Sequence, residues 1–396
     1  MFLAQLDSLV MEGSIKSFDS RLESLRGVAA FGVAWTHANV VFIVSEPINY
    51  PGLMLWRDWI FLAVPAGAAV VLFFALSGFV LGASLQRDPN VVRFAVRRIF
   101  RIFPALWLAV AITYAAEVWL ASGFDHGQFT EWFQNVFLRP HTVADFFRNL
   151  VLAKVSIDQV AWSLVPEVLC SLMLPALVWL HQRTDRIGRL AILACLVVIG
   201  HHAEDRTMCY AMAFYAGFCL PAEVVGPRLT SWWLAAAAAI AGWLMLCLGN
   251  AYGVPYMPMM REVCTAGAVI LISAVVAAPG SFGFLNARPL RFLGRVSFSF
   301  YLLHLPVLFL LTAATLALPA LRPHNVYGTV ALAMASIVAA AAAAALSHRF
   351  VEVPGIALGR RIAERIARGL PFVSERPAMK MEATAHARVA RPKLGR

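Results

Sequence analysis

Charged residues are scarce in this chain, and that scarcity indicates its class. Asp, Glu, Lys and Arg make up 14% of the 396 residues, against about 25% in soluble proteins. Hydrophobic residues make up 60%, and several apolar runs reach the ~20 residues that a membrane-spanning helix needs. The 27 Phe and 11 Trp exclude a disordered chain. We therefore predict an all-α polytopic membrane protein.

Metal-binding and disulfide patterns are also missing. The six cysteines lie in or beside apolar stretches without C-x-x-C spacing, so we interpret them as small packing residues and expect no metal. The net charge of +11 would suggest nucleic acid in a soluble domain, but a membrane protein gathers basic residues in cytoplasmic loops. No nucleic-acid role is expected. The absence of a visible internal repeat counts against transporters built from inverted repeats.

About ten transmembrane helices are predicted within a domain at 25–354, after a polar N-terminal segment at 1–24. The spans are 25–44, 61–85, 103–120, 162–180, 190–202, 208–225, 229–248, 263–278, 296–318 and 326–348. The first is expected to be retained rather than cleaved as a signal peptide. The basic tail at 355–396 is predicted to be disordered or to lie on the membrane surface.

The distribution of charge predicts the orientation. The connections at 86–102, 181–189, 223–228 and 279–295, together with the tail, sum to +16, whereas the alternate connections sum to −2. By the positive-inside rule, the first set and both termini lie in the cytoplasm, although residues 1–24 sum to −2. The 121–161 stretch is then an outer loop, in which 145–154 is predicted to be an amphipathic segment.

Arg26 and His37 are the first ionisable residues inside a predicted span. Eleven residues at 100° each return to within about 20° of the same helix face, roughly 16 Å further along. Arg26 is equally well explained as an anchor at the cytoplasmic interface. His37 lies deep in the span, where an ionisable side chain is costly and indicates a function.

Arg98 and Arg101 form an i, i+3 pair in the basic stretch before Pro104, which is predicted to open the next helix. On a helix they share a face and could hold one phosphate from two sides. The alternative is a charged cytoplasmic loop, and the arginines alone favour it.

Trp162, Ser163 and Glu167 open the fourth predicted span. Trp162 suits the membrane interface and Ser163 suits an N-cap. Glu167 lies just inside the membrane, where it either binds a polar substrate from outside or has a structural role.

Small and polar residues inside other spans favour packing. Gly294, Ser77 and Gly78 are predicted to lie where helices approach closely. Tyr301 and His304 share a helix face, and His304 either bonds between helices or positions His37. Pro354 is predicted to end the last helix.

These segments together resemble the membrane-bound acyltransferase family 3, which includes O-antigen and exopolysaccharide O-acetyltransferases. The resemblance covers about residues 19–354, and its motifs occur in the family's order. The motifs are Arg26-x10-His37, Phe-Phe-x-Leu-Ser-Gly-Phe at 73–79, Arg98-x-x-Arg101, Trp162-Ser-Leu-x-x-Glu167, Gly294-x-x-Ser-x-x-x-Tyr-Leu-x-His304 and Glu352-x-Pro354. One departure is Val71, where many members have an acidic residue.

The resemblance implies ten core helices in the bacterial inner membrane and transfer of an acyl group, commonly acetyl, from acyl-CoA to a sugar hydroxyl. It implies that His37 is catalytic and that Arg26, Arg98 and Arg101 handle the donor. Glu167, Ser163, Trp162, Tyr301 and His304 would bind the acceptor or support the site. The likeness is closer to short members without an extracytoplasmic esterase-like domain.

Two other classes of function stay open at this point. A secondary transporter for an anionic solute also needs intramembrane Arg and His, and it predicts solute flux without consumption of acyl-CoA. A non-catalytic membrane scaffold predicts that replacing His37 has no effect. The sequence does not indicate the acceptor, the acyl chain length or the oligomeric state.

Overall fold

The computed structural model describes residues 19–40, 65–120, 131–137, 139–203, 206–224, 231–251, 258–317 and 326–369. These residues are almost entirely helical, and no β-strand occurs among them. The prediction of an all-α protein is therefore confirmed.

The α-helices are numbered in chain order. They are α1 Ser20–Val40, α2 Ala66–Arg87, α3 Val91–Leu120, α4 Glu131–Phe137, α5 Val143–Leu150, α6 Leu164–Arg183, α7 Arg186–His202, α8 Arg206–Val224, α9 Trp232–Ala251, α10 Pro258–Ala277, α11 Arg288–Ala317, α12 Val326–Ser347 and α13 Val353–Gly369. Two 3₁₀ turns, Gln159–Ser163 and Gly283–Asn286, precede α6 and α11, and a π-helical turn, His348–Glu352, joins α12 to α13.

Seven helical stretches of the described chain are long and apolar enough to cross a membrane. They involve α2, α3, α6, α9, α10, α11 and the continuous stretch Tyr327–Ile366. The other three predicted spans fall on α1, α7 and α8. The chain is thus an all-α polytopic protein, and each predicted span overlaps a helix.

Two basic stretches predicted as loops are partly helical. Helix α3 begins at Val91 rather than 103, and α11 begins at Arg288 rather than 296. Pro104 therefore lies inside α3 instead of opening a helix. A long helix tolerates an interior proline in a membrane when neighbouring groups compensate for the lost N–H.

The end of the last helix was also predicted wrongly. Pro354 does not stop the chain's helical run but lies in the first turn of α13, directly after the π-helical turn. The tail expected from residue 355 onward is helical to Gly369. The remainder of the predicted tail, 370–396, lies outside the described residues.

Small residues let the central helices approach closely. A Cβ at Gly27 would clash with the backbone of Gly294, so α1 and α11 touch backbone to backbone. A Cβ at Gly78 would likewise meet the backbone of Phe214 in α8. The packing roles predicted for Gly294 and Gly78 are confirmed, and the α1–α11 contact brings Arg26 and His37 against α11.

The described residues between α3 and α6, at 131–137 and 139–163, pack onto the helices. Phe137 of α4 stacks on Phe309 of α11, with ring centroids 4.8 Å apart. Trp107 of α3 donates its indole N–H to the carbonyl of Leu150, the last residue of α5, at 3.0 Å. The amphipathic segment predicted at 145–154 corresponds to α5 and the turn after it.

Candidate functional site

Arg26 and His37 both contact α11, as their spacing predicts. The Nε of Arg26 donates to Ser297 Oγ at 2.9 Å. His37 lies three turns further along α1, and its Nδ1 is 2.9 Å from His304 Nε2. One face of α1 therefore places a cation and an imidazole against the same neighbouring helix.

A hydrogen-bonded chain sets the tautomers of the two histidines. His304 Nδ1 lies 2.6 Å from the carbonyl oxygen of Tyr301, which can only accept, so this nitrogen carries the hydrogen. In the neutral ring, His304 Nε2 then accepts from Nδ1–H of His37. The lone pair of neutral His37 is consequently on Nε2, the nitrogen that a general base would use.

Tyr301 connects the histidines to the 3₁₀ turn before α6. Its hydroxyl lies 3.0 Å from Ser163 Oγ and donates to the Val160 carbonyl at 3.2 Å. Ser163 occupies the N-cap position of α6, as predicted, but its backbone is helical and its side chain caps no N–H. Trp162 is partly buried, and its ring lies 6.1 Å from that of Tyr210.

Arg98 and Glu167 form an ion pair inside the helix bundle. One Nη of Arg98 donates to Glu167 Oε1 and, at 3.1 Å, to Ser171 Oγ. Ser77 donates to the same carboxylate, at 3.1 Å. The side chains of Arg98 and Glu167 are only 14% and 15% exposed, so little water screens the pair.

The contact corrects the expected placement of Glu167. Arg98 was assigned to the cytoplasmic mouth and Glu167 to an acceptor side outside, yet the two side chains touch. The interpretation of Ser77 as a packing residue alone is also wrong, because its hydroxyl bonds the Glu167 carboxylate. Helix α6 begins deep enough for its first turn to reach α2 and α3.

Arg101 points to a different carboxylate, that of Glu352 in the π-helical turn. Arg101 Nη1 is 3.6 Å from Glu352 Oε1, and His348 Nδ1 is 3.2 Å from Oε2. Ser299 of α11 donates to Oε2 at 3.0 Å. The Glu352 side chain is 1% exposed, so little water lies between it and the charges of its neighbours.

Glu352 was noted in a motif but not counted as a site residue. The signal was available, since an acidic side chain inside a long apolar stretch is costly and indicates a function. A π-helical turn within a longer helix is itself frequent at functional sites. Position 71, where many family members have an acidic residue, holds a fully buried valine.

A cleft of about 60 Å³ lies next to the charged groups. Its lining residues include Arg26, Phe73, Ser77, Ser163, Glu167 and Tyr301. Arg26 also interacts electrostatically with Arg101, Glu352 and Glu167. The predicted site residues thus form one connected region rather than a donor region and an acceptor region on opposite sides of the membrane.

The chemistry available in this region is that of an acid–base group beside an anion site. Three arginines, Arg26, Arg98 and Arg101, interact with two carboxylates, Glu167 and Glu352, which leaves the cluster with one excess positive charge. Within the described part of the chain, no three His, Cys, Asp or Glu side chains group as metal ligands. A neutral imidazole lies at the far end of the same helix face.

Comparisons with known proteins agree with this chemistry. A family profile described as an acyltransferase domain matches residues 19–348. An O-acetyl transferase of Shigella phage Sf6 is 28% identical over 156 residues, 38% of this chain and 46% of the phage protein. Nodulation protein 10 of Rhizobium leguminosarum bv. viciae is 26% identical over 188 residues, 44% and 48% of the two chains.

The chain spans about half the length of the curated relatives it matches. No solved structure matches it.

Proposed function

Because the chain belongs to the acyltransferase domain family, whose profile covers residues 19–348, we propose that it moves an acyl group from acyl-CoA to a hydroxyl. The acyl group is an acetyl group, and the acceptor is a sugar of a cell-surface or exported polysaccharide. The observation that carries the proposal is the chain from His37 through His304 to the Tyr301 carbonyl. It connects the His37 imidazole to Tyr301, which lines the cleft together with Arg26.

The imidazole of His37 serves as the general base in this proposal. The acceptor oxygen attacks the thioester carbonyl while His37 Nε2 takes up the hydroxyl proton. The tetrahedral oxyanion then collapses, the carbon–sulfur bond breaks, and the leaving thiolate takes the proton from His37. The products are an ester and free CoA. A thioester is already activated, so the step uses a base and oxyanion-stabilising donors.

The arginine cluster binds the phosphates of the donor. CoA has its phosphates at one end and its thioester at the end of a long flexible arm. Arg26 and His37 are separated by about 16 Å along α1, which suits a ligand that is anionic at one end and reactive at the other. Arginine is also the side chain best matched to phosphate geometry.

The carboxylates hold the arginines in place between turnovers. Glu167 bonds Arg98 and Ser77, and Glu352 lies against Arg101. Without these partners the guanidinium groups would be charged and unpaired inside an apolar bundle, which is costly. Trp162, Ser163 and Tyr301 are assigned to the acceptor, since the Ser163–Tyr301 pair lines the part of the cleft next to the histidines.

The protein lies in the bacterial inner membrane with both termini in the cytoplasm, in this proposal. The charge totals of +16 and −2 support that orientation. Donor then enters from the cytoplasm, where CoA is made, and the acceptor approaches from the side of α4 and α5.

The test is acceptor-dependent release of CoA. Membranes containing the chain, supplied with acetyl-CoA and surface glycan from a strain that lacks the gene, should release free thiol and yield acetylated glycan by mass spectrometry. Membranes containing His37→Ala should do neither. Equal thiol release with and without glycan would contradict the proposal, and solute flux without thiol release would favour the transporter.

A further inference from the structure

Helix α13 is the amphipathic continuation of a membrane-spanning helix. The continuous helical stretch Tyr327–Ile366 has 40 residues, about 60 Å if fully straight. The hydrocarbon core of a bilayer is about 30 Å thick. The last part of this stretch must therefore leave the hydrocarbon or lie along its boundary, and α13 is that part.

One face of α13 packs tightly on α3. A Cβ at Gly355 would be 2.9 Å from the Phe100 carbonyl oxygen, and one at Gly359 would clash with the Phe100 ring. Ala363, one turn further, is completely buried. This contact fixes which side of α13 faces outward.

The outward side is apolar at the start of α13 and carries mainly basic residues, with Ile366, towards its end. Val353 and Leu358 are 47% and 50% exposed, and exposed arginines follow at Arg361, Arg365 and Arg368. Leu358 and Arg365 are seven residues apart, which places them on one line about 10 Å apart. A boundary of this kind marks the transition from acyl chains to headgroups.

We propose that the arginines of α13 bind the headgroups of anionic phospholipids. The last three turns carry Arg360, Arg361, Arg365 and Arg368 with a single acidic residue, Glu364, all exposed. Clustered guanidinium groups complement phosphodiester headgroups, and the apolar surface before them keeps the cluster at headgroup depth. The occupant is a lipid of the leaflet on the side where α2 ends and α3 begins.

The test measures lipid binding by the full-length chain in neutral detergent. Native mass spectrometry and the thermal unfolding temperature are followed with added phosphatidylglycerol or phosphatidylcholine. We expect phosphatidylglycerol, but not phosphatidylcholine, to bind and to raise the unfolding temperature. In the R361E/R365E variant the apparent affinity for phosphatidylglycerol should fall by at least about tenfold.

A matched control reverses two arginines at the start of α11, in the R288E/R291E variant, which should keep its affinity for phosphatidylglycerol. Unchanged binding in R361E/R365E, or an equal loss in R288E/R291E, would overturn the proposal. If R361E/R365E does not fold, R361Q/R365Q replaces it under the same criteria. Competition by micromolar acetyl-CoA for the bound lipid would also overturn it, because the arginines would then bind the nucleotide.

Discussion

His37 Nδ1 lies 2.9 Å from His304 Nε2, and the planes of the two rings are within 7° of parallel. The second histidine is itself held by the Tyr301 carbonyl. A side chain on α1 is thereby oriented by a backbone group of α11. The pair explains how a single imidazole inside an apolar bundle has a defined orientation and a defined basic nitrogen.

Replacing His37 should abolish acyl transfer. His37→Ala removes the base, and His37→Gln retains polarity but cannot take up a proton, so both should lower the rate by at least about 100-fold. The rate is measured as CoA release from acetyl-CoA. His202→Ala, an exposed histidine at the end of α7, is the control. A near-normal rate in either His37 variant would contradict the catalytic assignment.

His304 should act through His37 rather than on the substrate. His304→Gln disturbs the ring orientation and tautomer of His37, so kcat should fall by about 10- to 100-fold while the KM values for donor and acceptor change little. Steady-state kinetics over a range of pH would check this. If the KM for the acceptor rose and kcat did not change, His304 would contact the acceptor instead.

Arg98 and Arg101 should determine the KM for the donor. Arg98→Ala and Arg101→Ala should each raise it by about 10- to 100-fold, the scale of a charge-assisted phosphate contact. Lysine should restore only part of the affinity, since a point charge cannot reproduce a forked guanidinium. An unchanged donor KM together with a lower protein level would identify the pair as a topology anchor.

Glu167 and Arg98 should behave as one unit. Because the two side chains are in contact, the effects of Glu167→Gln and Arg98→Ala on donor KM should not add in the double variant. The control pair is Glu167→Gln with Arg288→Ala, whose effects should add. Full additivity of the first pair would show that Glu167 acts separately, as an acceptor contact.

The stability of the protein should depend on pH through Asp145, which forms a capping box with Thr142 at the start of α5. A hydrogen bond from Lys154, followed by those from Thr142, holds the pKa of Asp145 well below its ordinary 3.8. Since the folded pKa is depressed, the stabilisation is complete above the unfolded pKa and is lost as the pH falls below about 3.8. Asp145→Asn should therefore reduce the change in thermal unfolding temperature between about pH 5 and pH 3. Glu364→Gln, an exposed substitution, should leave it unchanged.

The orientation can be tested by labelling single cysteines. In a background without the six native cysteines, Ala144→Cys should react with an impermeant maleimide in intact cells, and Gln182→Cys only after lysis. Both positions are exposed. The reverse pattern would overturn the proposed direction of donor binding.

Periodicity predicted only part of this site. The 11-residue interval from Arg26 to His37 sets their shared face, and local spacing is all that relation needs. The Arg98–Glu167 pair depends on how deep in the bundle α6 begins, which local spacing does not predict. Ser163 caps no N–H because a 3₁₀ turn, rather than an extended residue, precedes α6. The sequence shows Glu352 as an acidic residue next to a long apolar stretch. It contains no pattern that predicts the π-helical turn, which orients the Glu352 side chain.

The Arg98–Glu167 contact has a consequence for biogenesis. The two residues are 69 positions apart, so α3 leaves the ribosome several seconds before its partner at about 5–20 residues per second. During that interval the Arg98 guanidinium in the first turns of α3 has no carboxylate partner, and an unpaired charge within a membrane segment is costly. We therefore expect α3 to remain at the translocon until α6 has been synthesised. Loss of Glu167 should then expose nascent chains to membrane proteases before any effect on catalysis is seen.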